Sequence, residues 1–414
     1  MSNKIKLLVL FTLISLGNWA QSNDSIVNYE QYPFIQIQNN RLSHYGDDYF
    51  INQFYKKLEE LNFSGKGQLN IVHIGGSHVQ ADMFTNQLRI NFQSFEGGMN
   101  AGRGFIFPYR LAKTNSSSTY HFKSTGKWEC CRNVEKDKLC KLGVGGITAK
   151  TTDSISSLTF SFNKNNKLKY DFNSIKIFHE MDTVEFEMQF DSLLLKSIIH
   201  YPTKNYSEVF FNTYLDSLTI HFIKTDSLQT HFTLYGILAE TDESGIYCHN
   251  LGINGASVPS FLNTSEFESQ LEIIHPDMVI LGLGINDAHS KDFSDIAYEY
   301  NYVDLIRKIR KANPNAAIIL ITNNDSYLTK RKVNRNGLLV QQTLVRVAKE
   351  NGAAVWDLFE IMGGLNSIVK WQKDGLAQKD KIHFTKIGYE ILGNLLYESI
   401  IESYFNFLKL NYKK

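Results

Sequence analysis

The chain has 414 residues, 43% of them hydrophobic, enough to bury a large core and long for one α/β domain, so two domains are expected. Its 43 basic and 42 acidic side chains leave a formal net charge of +1. A nearly neutral chain gives no electrostatic reason to expect a nucleic-acid partner.

Residues 1–20 read as a cleaved secretory signal. Lys4 and Lys6 precede an apolar run over 7–16, followed by Asn18-Trp19-Ala20. The run is too short for a spanning helix, and no cysteine follows it to carry a lipid anchor. The mature chain, with a net charge of about −1 once Lys4 and Lys6 are removed, is expected to be periplasmic or extracellular, without stable membrane insertion. In that setting Cys140 can pair with Cys130 or Cys131; alternatively these three and Cys248 are all free thiols.

The short β-branched run 69–74 predicts a buried parallel strand, and Gly75-Gly76 then allows a sharp turn. Apolar spacing over 79–92 predicts a helix, which places Ser77 at a strand-to-helix turn where backbone N–H groups favour negative charge. His78 and Asp82 follow closely and read as supporting or surface residues. In the segment Gly102-Arg103-Gly104-Phe105-Ile106-Phe107-Pro108, Arg103 either orients a polar or anionic sugar or is simply solvated.

From 111 to 240 the pattern changes. Runs at 174–178, 183–188 and 217–222 alternate with period two, glycine is sparse, and polar turns such as 163–166 intervene. This predicts an inserted β-sandwich, whose aromatics, among them Tyr120, Phe122, Trp128, Tyr170 and Phe172, serve as core or as a sugar platform. An α/β domain made of 21–110 and 241–414 then flanks the insert.

After the insert, the strand at 246–251 ends in Gly252-Ile253-Asn254-Gly255, and the strand at 278–283 ends in Gly284-Ile285-Asn286-Asp287. A strand at 317–321, a helix at 336–351 and a short strand at 353–356 follow. Trp371 lies in the connection beyond Met362-Gly363-Gly364 and is either a cleft residue or a core anchor. Asp380 and His383 then stand three residues apart, before Thr385 and a helix over 386–405. This alternation predicts a three-layer α/β/α, doubly wound parallel sheet with the sandwich inserted. The four polar islands fall at carboxyl ends of strands or in the loops beyond, where open α/β sheets place their sites.

Ester cleavage needs a hydroxyl on a tight turn, a base within reach and an acceptor that holds the base in one tautomer. Ser77, His383 and Asp380 can fill those roles, and the side-chain amide of Asn286 can donate to an oxyanion. A metal pair is the competing reading of Asp380 and His383, but no third ligand is recognisable nearby. The ordered islands Gly75-Gly76-Ser77-His78, Ile253-Asn254-Gly255-Ala256, Gly284-Ile285-Asn286-Asp287 and Asp380-Lys381-Ile382-His383 resemble the four sequence blocks of the SGNH (GDSL-type) hydrolases. The resemblance implies a flavodoxin-like α/β fold and a serine esterase with Ser77, His383 and Asp380 as catalytic residues. It also implies an oxyanion hole from the N–H groups of Ser77 and Gly255 and the amide of Asn286, with no metal or organic cofactor. Gly76 departs from the pattern, standing where the family has an aspartate.

The interrupted architecture is similar to peptidoglycan O-acetylesterases of this class, which implies an O-acylated polysaccharide as substrate. Lipid esterase or thioesterase activity, transfer of the acyl group to a sugar, and glycan binding by a vestigial hydrolase domain are the alternatives. Arg103 and Trp371 are the candidate substrate contacts. Oligomeric state is not legible.

Overall fold

The computed structural model describes residues 27–412 apart from 47, 136 and 330. The expected leader at 1–20 lies outside the described residues. Among those described, no helix is long and apolar enough to cross a membrane.

A six-stranded sheet forms the centre of the α/β domain. Its strands are β1 (Leu42–His44), β2 (Gln68–Gly75), β3 (Gly245–Gly252), β4 (Met278–Gly282), β5 (Ala317–Ile321) and β6 (Ala354–Trp356), in the order β1-β6-β5-β4-β2-β3. Strands β2 to β6 run parallel, while β1 pairs antiparallel with β6. The five parallel strands follow the flavodoxin-like 2-1-3-4-5 order, so the direction of winding switches between β2 and β4.

The sheet is buried on both faces, which explains its near-continuous apolar strands. The principal helices are α1 (Tyr49–Ser64), α2 (Met83–Gln93), α3 (Phe267–Ile274), α4 (Asp295–Ala312), α5 (Asn336–Asn351) and α6 (Lys386–Tyr412). Ile71, Met278 and Ile280 pack with Leu58 of α1, Leu88 of α2 and Leu392 of α6. Val72, Val279 and Leu281, alternating with them along the same strands, pack instead with Leu271, Leu305 and Leu344 of α3, α4 and α5. This is the three-layer arrangement expected of the sequence.

Two β-sheets occupy the chain between α2 and β3. One has four strands, in the order Tyr120–Thr125, Ile155–Phe162, Ser217–Ile223 and Glu187–Gln189; the other is built around Phe172–His179 and Phe232–Glu240. Leu158, Phe160 and Ile220 of the first meet Ile175, Ile177 and Ile237 of the second in a shared core. Tyr120, Tyr170 and Phe172 belong to that core, and Phe122 and Trp128 pack against it. Gly104–Ile106 already pairs with Phe232–Glu240, so the β-sheet begins ahead of residue 111.

Two local expectations are corrected. The helix expected over 79–92 is broken at Asp82, whose left-handed backbone (φ 64°) separates the short helix Ser77–Gln80 from α2. In the run at 183–188 only Glu187–Gln189 continues as a strand, with Glu185 forming an isolated bridge to His231. Cys131 pairs with Cys140, while Cys130 and Cys248 are thiols.

Candidate active site

Ser77 follows β2 after Gly76 alone and opens the short helix Ser77–Gln80, so its N–H has no carbonyl one turn behind it. The Gly76 carbonyl accepts from the N–H groups of Val79 and Gln80, both at 3.1 Å, and the Gly75 carbonyl accepts from Ile253 N–H at 3.1 Å. The first two bonds close the turn that carries Ser77 and the third fastens it to the loop after β3, all without a side chain at position 76.

His383 reaches the turn from the far end of the chain. Its Nε2 lies 2.8 Å from Ser77 Oγ, and its Nδ1 lies 2.7 Å from Asp380 Oδ2. The other oxygen, Asp380 Oδ1, accepts from the N–H groups of Ile382 (2.9 Å) and His383 (3.0 Å). Burial alone would raise the Asp380 carboxyl, but the His383 ring and these two N–H groups outweigh it and hold the group below its ordinary value. Because Ser77 and Asp380 engage both ring nitrogens of His383, the pair is arranged for proton transfer rather than for metal ligation. The His383 loop is fixed by Asn324 Nδ2 donating to the Ile382 carbonyl (3.0 Å) and by Gln378 N–H donating to the His383 carbonyl (2.7 Å). Thr385 Oγ1 accepts from Gly388 N–H at 3.3 Å and caps α6.

Asn286 and Gly255 approach from the neighbouring strands. Asn286 lies in the short helix Ile285–Ala288 just after β4, and its Nδ2 donates to the Ala256 carbonyl at 2.9 Å. A Cβ at position 76 would stand 3.2 Å from that Nδ2, so glycine there lets the amide sit tightly against the turn. Gly255 holds φ at +85° in a turn closed by Ala256 N–H donating to the Ile253 carbonyl at 3.0 Å. Asp287 ties the loops together by accepting from Val258 N–H at 3.2 Å, and burial pushes its carboxyl up to about 6. Ser77, Asn286 and Gly255 therefore stand beyond the carboxyl ends of three adjacent strands, β2, β4 and β3, with the Asn286 amide bonded to the Ala256 carbonyl beside the Gly76 backbone.

The two candidate substrate contacts take other places. Arg103 is 1% exposed, because its Nη2 lies 2.6 Å from Asp82 Oδ2 and its Nε donates to Thr119 Oγ1 at 2.8 Å. The solvated or sugar-binding position expected for it is thus corrected to a buried ion pair. Trp371 is fully buried, edge-on to Phe34 and Phe384, with Nε1 donating to the Met362 carbonyl at 3.3 Å. It is a core anchor, not a cleft residue.

Several residues around the turn carry more than their sequence setting suggested. Asp82 also holds Arg89 Nη2 at 2.9 Å and accepts from Ser117 Oγ (2.7 Å) and Asn250 Nδ2 (3.0 Å). It therefore links the segment that carries Ser77 to β3 and to the start of the insert. Gln80 Oε1 accepts from Asn254 N–H at 2.6 Å, while its Nε2 donates to Thr114 Oγ1 and the Asn115 carbonyl. His78 Nδ1 lies 2.8 Å from the Tyr389 hydroxyl, and its ring centroid is 5.2 Å from that of His383. Burial first, and the nearby His383 second, push His78 down to about 3, so it packs beside His383 as a neutral ring. The signal in the sequence was the polar pair Gln80 and Asp82 inside an apolar pattern.

The GDSL-like lipase/acylhydrolase family model matches residues 216–391, a span that holds Gly255, Asn286, Asp380 and His383. Ser77 lies outside that span, across the insert. No curated protein matches the chain. Among solved structures, a peptidoglycan O-acetylesterase is similar over 88% of this chain and 99% of its own, with a TM-score of 0.73 and 23% identity. A lipase/acylhydrolase from Enterococcus faecalis is 23% identical over 39% of this chain and 78% of its own, with a TM-score of 0.32. An acetyl xylan esterase is 18% identical over 37% of this chain and 80% of its own, with a TM-score of 0.30. The chain thus carries the SGNH/GDSL hydrolase fold and, over residues 216–391, matches the GDSL-like lipase/acylhydrolase family.

Proposed function

We propose that the protein is an exported serine esterase that removes O-acetyl groups from a cell-wall or other polysaccharide. The observation that carries this reading is the hydrogen-bonded series from Ser77 Oγ through His383 to Asp380, with the Asn286 amide beside the same turn. Ser77 Oγ attacks the acetyl carbonyl as His383 Nε2 takes its proton, and Asp380 stabilises the imidazolium through Nδ1. The negative oxygen of the tetrahedral intermediate is met by the N–H groups of Ser77 and Gly255 and by the Asn286 amide. Collapse breaks the bond to the sugar oxygen, which receives the proton from His383. Water then attacks the acetyl-serine by the same route and releases acetate.

Three observations support the finer reading. The His383 and Asp380 side chains are 32% and 42% exposed, so the triad is open to a bulky polar substrate. A peptidoglycan O-acetylesterase structure is similar over 88% of this chain and 99% of its own. The Cys131–Cys140 disulfide fits the oxidising compartment to which a leader at 1–20 would deliver the chain.

The test is acetate release from O-acetylated peptidoglycan, acetylated xylan and p-nitrophenyl acetate by the mature chain and by Ser77→Ala. Serine-dependent release from a polymer is the expected result. Serine-dependent turnover of p-nitrophenyl acetate with neither polymer cleaved would move the substrate to another acyl ester.

A further inference from the structure

Within the inserted sandwich, three side chains converge on one point. Glu180 and Asp182 follow the strand Phe172–His179, and His231 precedes the strand Phe232–Glu240. The loop carrying the two acids is stitched to the His231 segment through the backbone. Glu180 N–H donates to the Thr233 carbonyl (3.0 Å), Phe186 N–H to the His231 carbonyl (2.7 Å) and Thr230 N–H to the Val184 carbonyl (2.7 Å). The relative placement of the three residues is therefore set by main-chain pairing.

Each residue commits one polar atom locally and leaves the other facing its neighbours. Lys141 Nζ donates to Glu180 Oε1 at 2.8 Å, and Val184 N–H donates to Asp182 Oδ1 at 3.0 Å. His231 Nδ1 lies 2.8 Å from Thr230 Oγ1. What remains is His231 Nε2, 3.5 Å from Glu180 Oε2 and 3.9 Å from Asp182 Oδ2. One ligand atom from each of the three residues lies within 4.8 Å of the others. His231 is 8% exposed, and its Nε2 is buried without a hydrogen-bond partner. A buried ring nitrogen directed at two carboxylates, yet held too far for a good hydrogen bond to either, leaves room for a cation between them.

We propose that Glu180, Asp182 and His231 bind a divalent transition-metal ion, with Zn²⁺ the best fit to the donors, and so pin the 180–186 loop to the sandwich. Bonds of about 2.0–2.2 Å in tetrahedral geometry set ligand atoms roughly 3.3–3.6 Å apart, so the two pairs with His231 Nε2, at 3.5 and 3.9 Å, need little movement, and the exposed Asp182 side chain supplies the rest of the closure from within 4.8 Å. One imidazole and two carboxylates form a nitrogen–oxygen set that Zn²⁺ accepts, with water at the fourth position. Thr230 Oγ1 on Nδ1 is the outer hydrogen bond that fixes a ligating ring, and Lys141 on Glu180 Oε1 orients that carboxylate. This site shares no residue with Ser77, His383 or Asp380 and stands independently of the esterase reading.

The experiment is calorimetric titration of the metal-stripped mature protein with Zn²⁺, run on the unmodified chain, His231→Ala, Asp182→Asn and His383→Ala. Asp182 is 40% exposed, so Asp182→Asn is expected to fold even where His231→Ala does not. One equivalent should bind to the unmodified chain and to His383→Ala with sub-micromolar affinity. Binding should weaken at least tenfold in Asp182→Asn and His231→Ala, and Zn²⁺ should raise the melting temperature of the unmodified chain and of His383→Ala more than that of the two weakened variants. Absence of stoichiometric binding, or binding lost in His383→Ala and retained in Asp182→Asn, would overturn the assignment.

Discussion

Replacing Asp82 by asparagine tests whether the segment that carries Ser77 is held by a buried charge cluster. The carboxylate is 1% exposed and contacts Arg89 Nη2 at 2.9 Å and Arg103 Nη2 at 2.6 Å, with the two arginines 0% and 1% exposed. The amide has nearly the same volume, but it removes the charge and turns one acceptor into a donor facing a guanidinium. Two buried cations are then left without their counter-charge, a loss of about 3–5 kcal/mol. Against a total stability of about 5–15 kcal/mol this is a large fraction. The pH dependence has a definite sign. Burial would raise the Asp82 carboxyl, yet Arg103 and Arg89 outweigh it and set the folded value at about 2, below the ordinary 3.8. The contribution is therefore fully present above pH 3.8 and is lost as the pH falls toward 2. Urea unfolding of both chains, followed by circular dichroism between pH 7 and pH 2.5, should show a wide gap at neutrality that narrows below pH 4. A gap under about 1 kcal/mol at pH 7, or one that widens on acidification, would refute the reasoning.

Three further substitutions probe the site and its surroundings. Gly76→Asp supplies the aspartate usual in the family, but its Cβ would lie 3.2 Å from Asn286 Nδ2 and 3.4 Å from the Ala256 carbonyl; kcat/KM for p-nitrophenyl acetate should drop about 10–100-fold, and unchanged or improved turnover would contradict the packing argument. Asn286→Ala removes the amide, so kcat should fall about 10²–10³-fold with little change in KM. Trp371→Ala opens a cavity among Phe34, Phe384 and their neighbours, and thermal or urea denaturation should register a loss of about 3–5 kcal/mol. A higher KM for acetylated polymer with stability intact would instead return Trp371 to the cleft.

The four polar islands were legible as strand-end turns because each is local: an apolar run followed by glycines and polar residues marks the segments of Ser77, Gly255 and Asn286, and the close Asp380–His383 spacing marks the fourth. Their assembly follows from parallel topology, which carries strand ends to one edge of the sheet. Arg103 was not legible. A glycine-flanked arginine reads as surface, and only folding brings it against Asp82, 21 residues earlier. The same contact explains the missed helix break, since periodicity over 79–92 carries no sign that Asp82 turns left-handed to face two guanidinium groups. Trp371 lies on the seven-residue helix Ser367–Lys373, too short for its apolar spacing to declare a buried face. In the insert, alternation identified the strands at 172–179 and 217–223 but could not tell a paired strand from the stitched loop at 180–186, whose backbone bonds go to residues near 231.

The central claim is that Ser77 is a nucleophile activated by His383. Its most direct measurement is intact-protein and peptide mass spectrometry after reaction with a fluorophosphonate probe. A single adduct on the peptide containing Ser77, abolished in Ser77→Ala and greatly slowed in His383→Ala, is the predicted result. An unreacted folded protein, or an adduct on another residue that persists in Ser77→Ala, would contradict it.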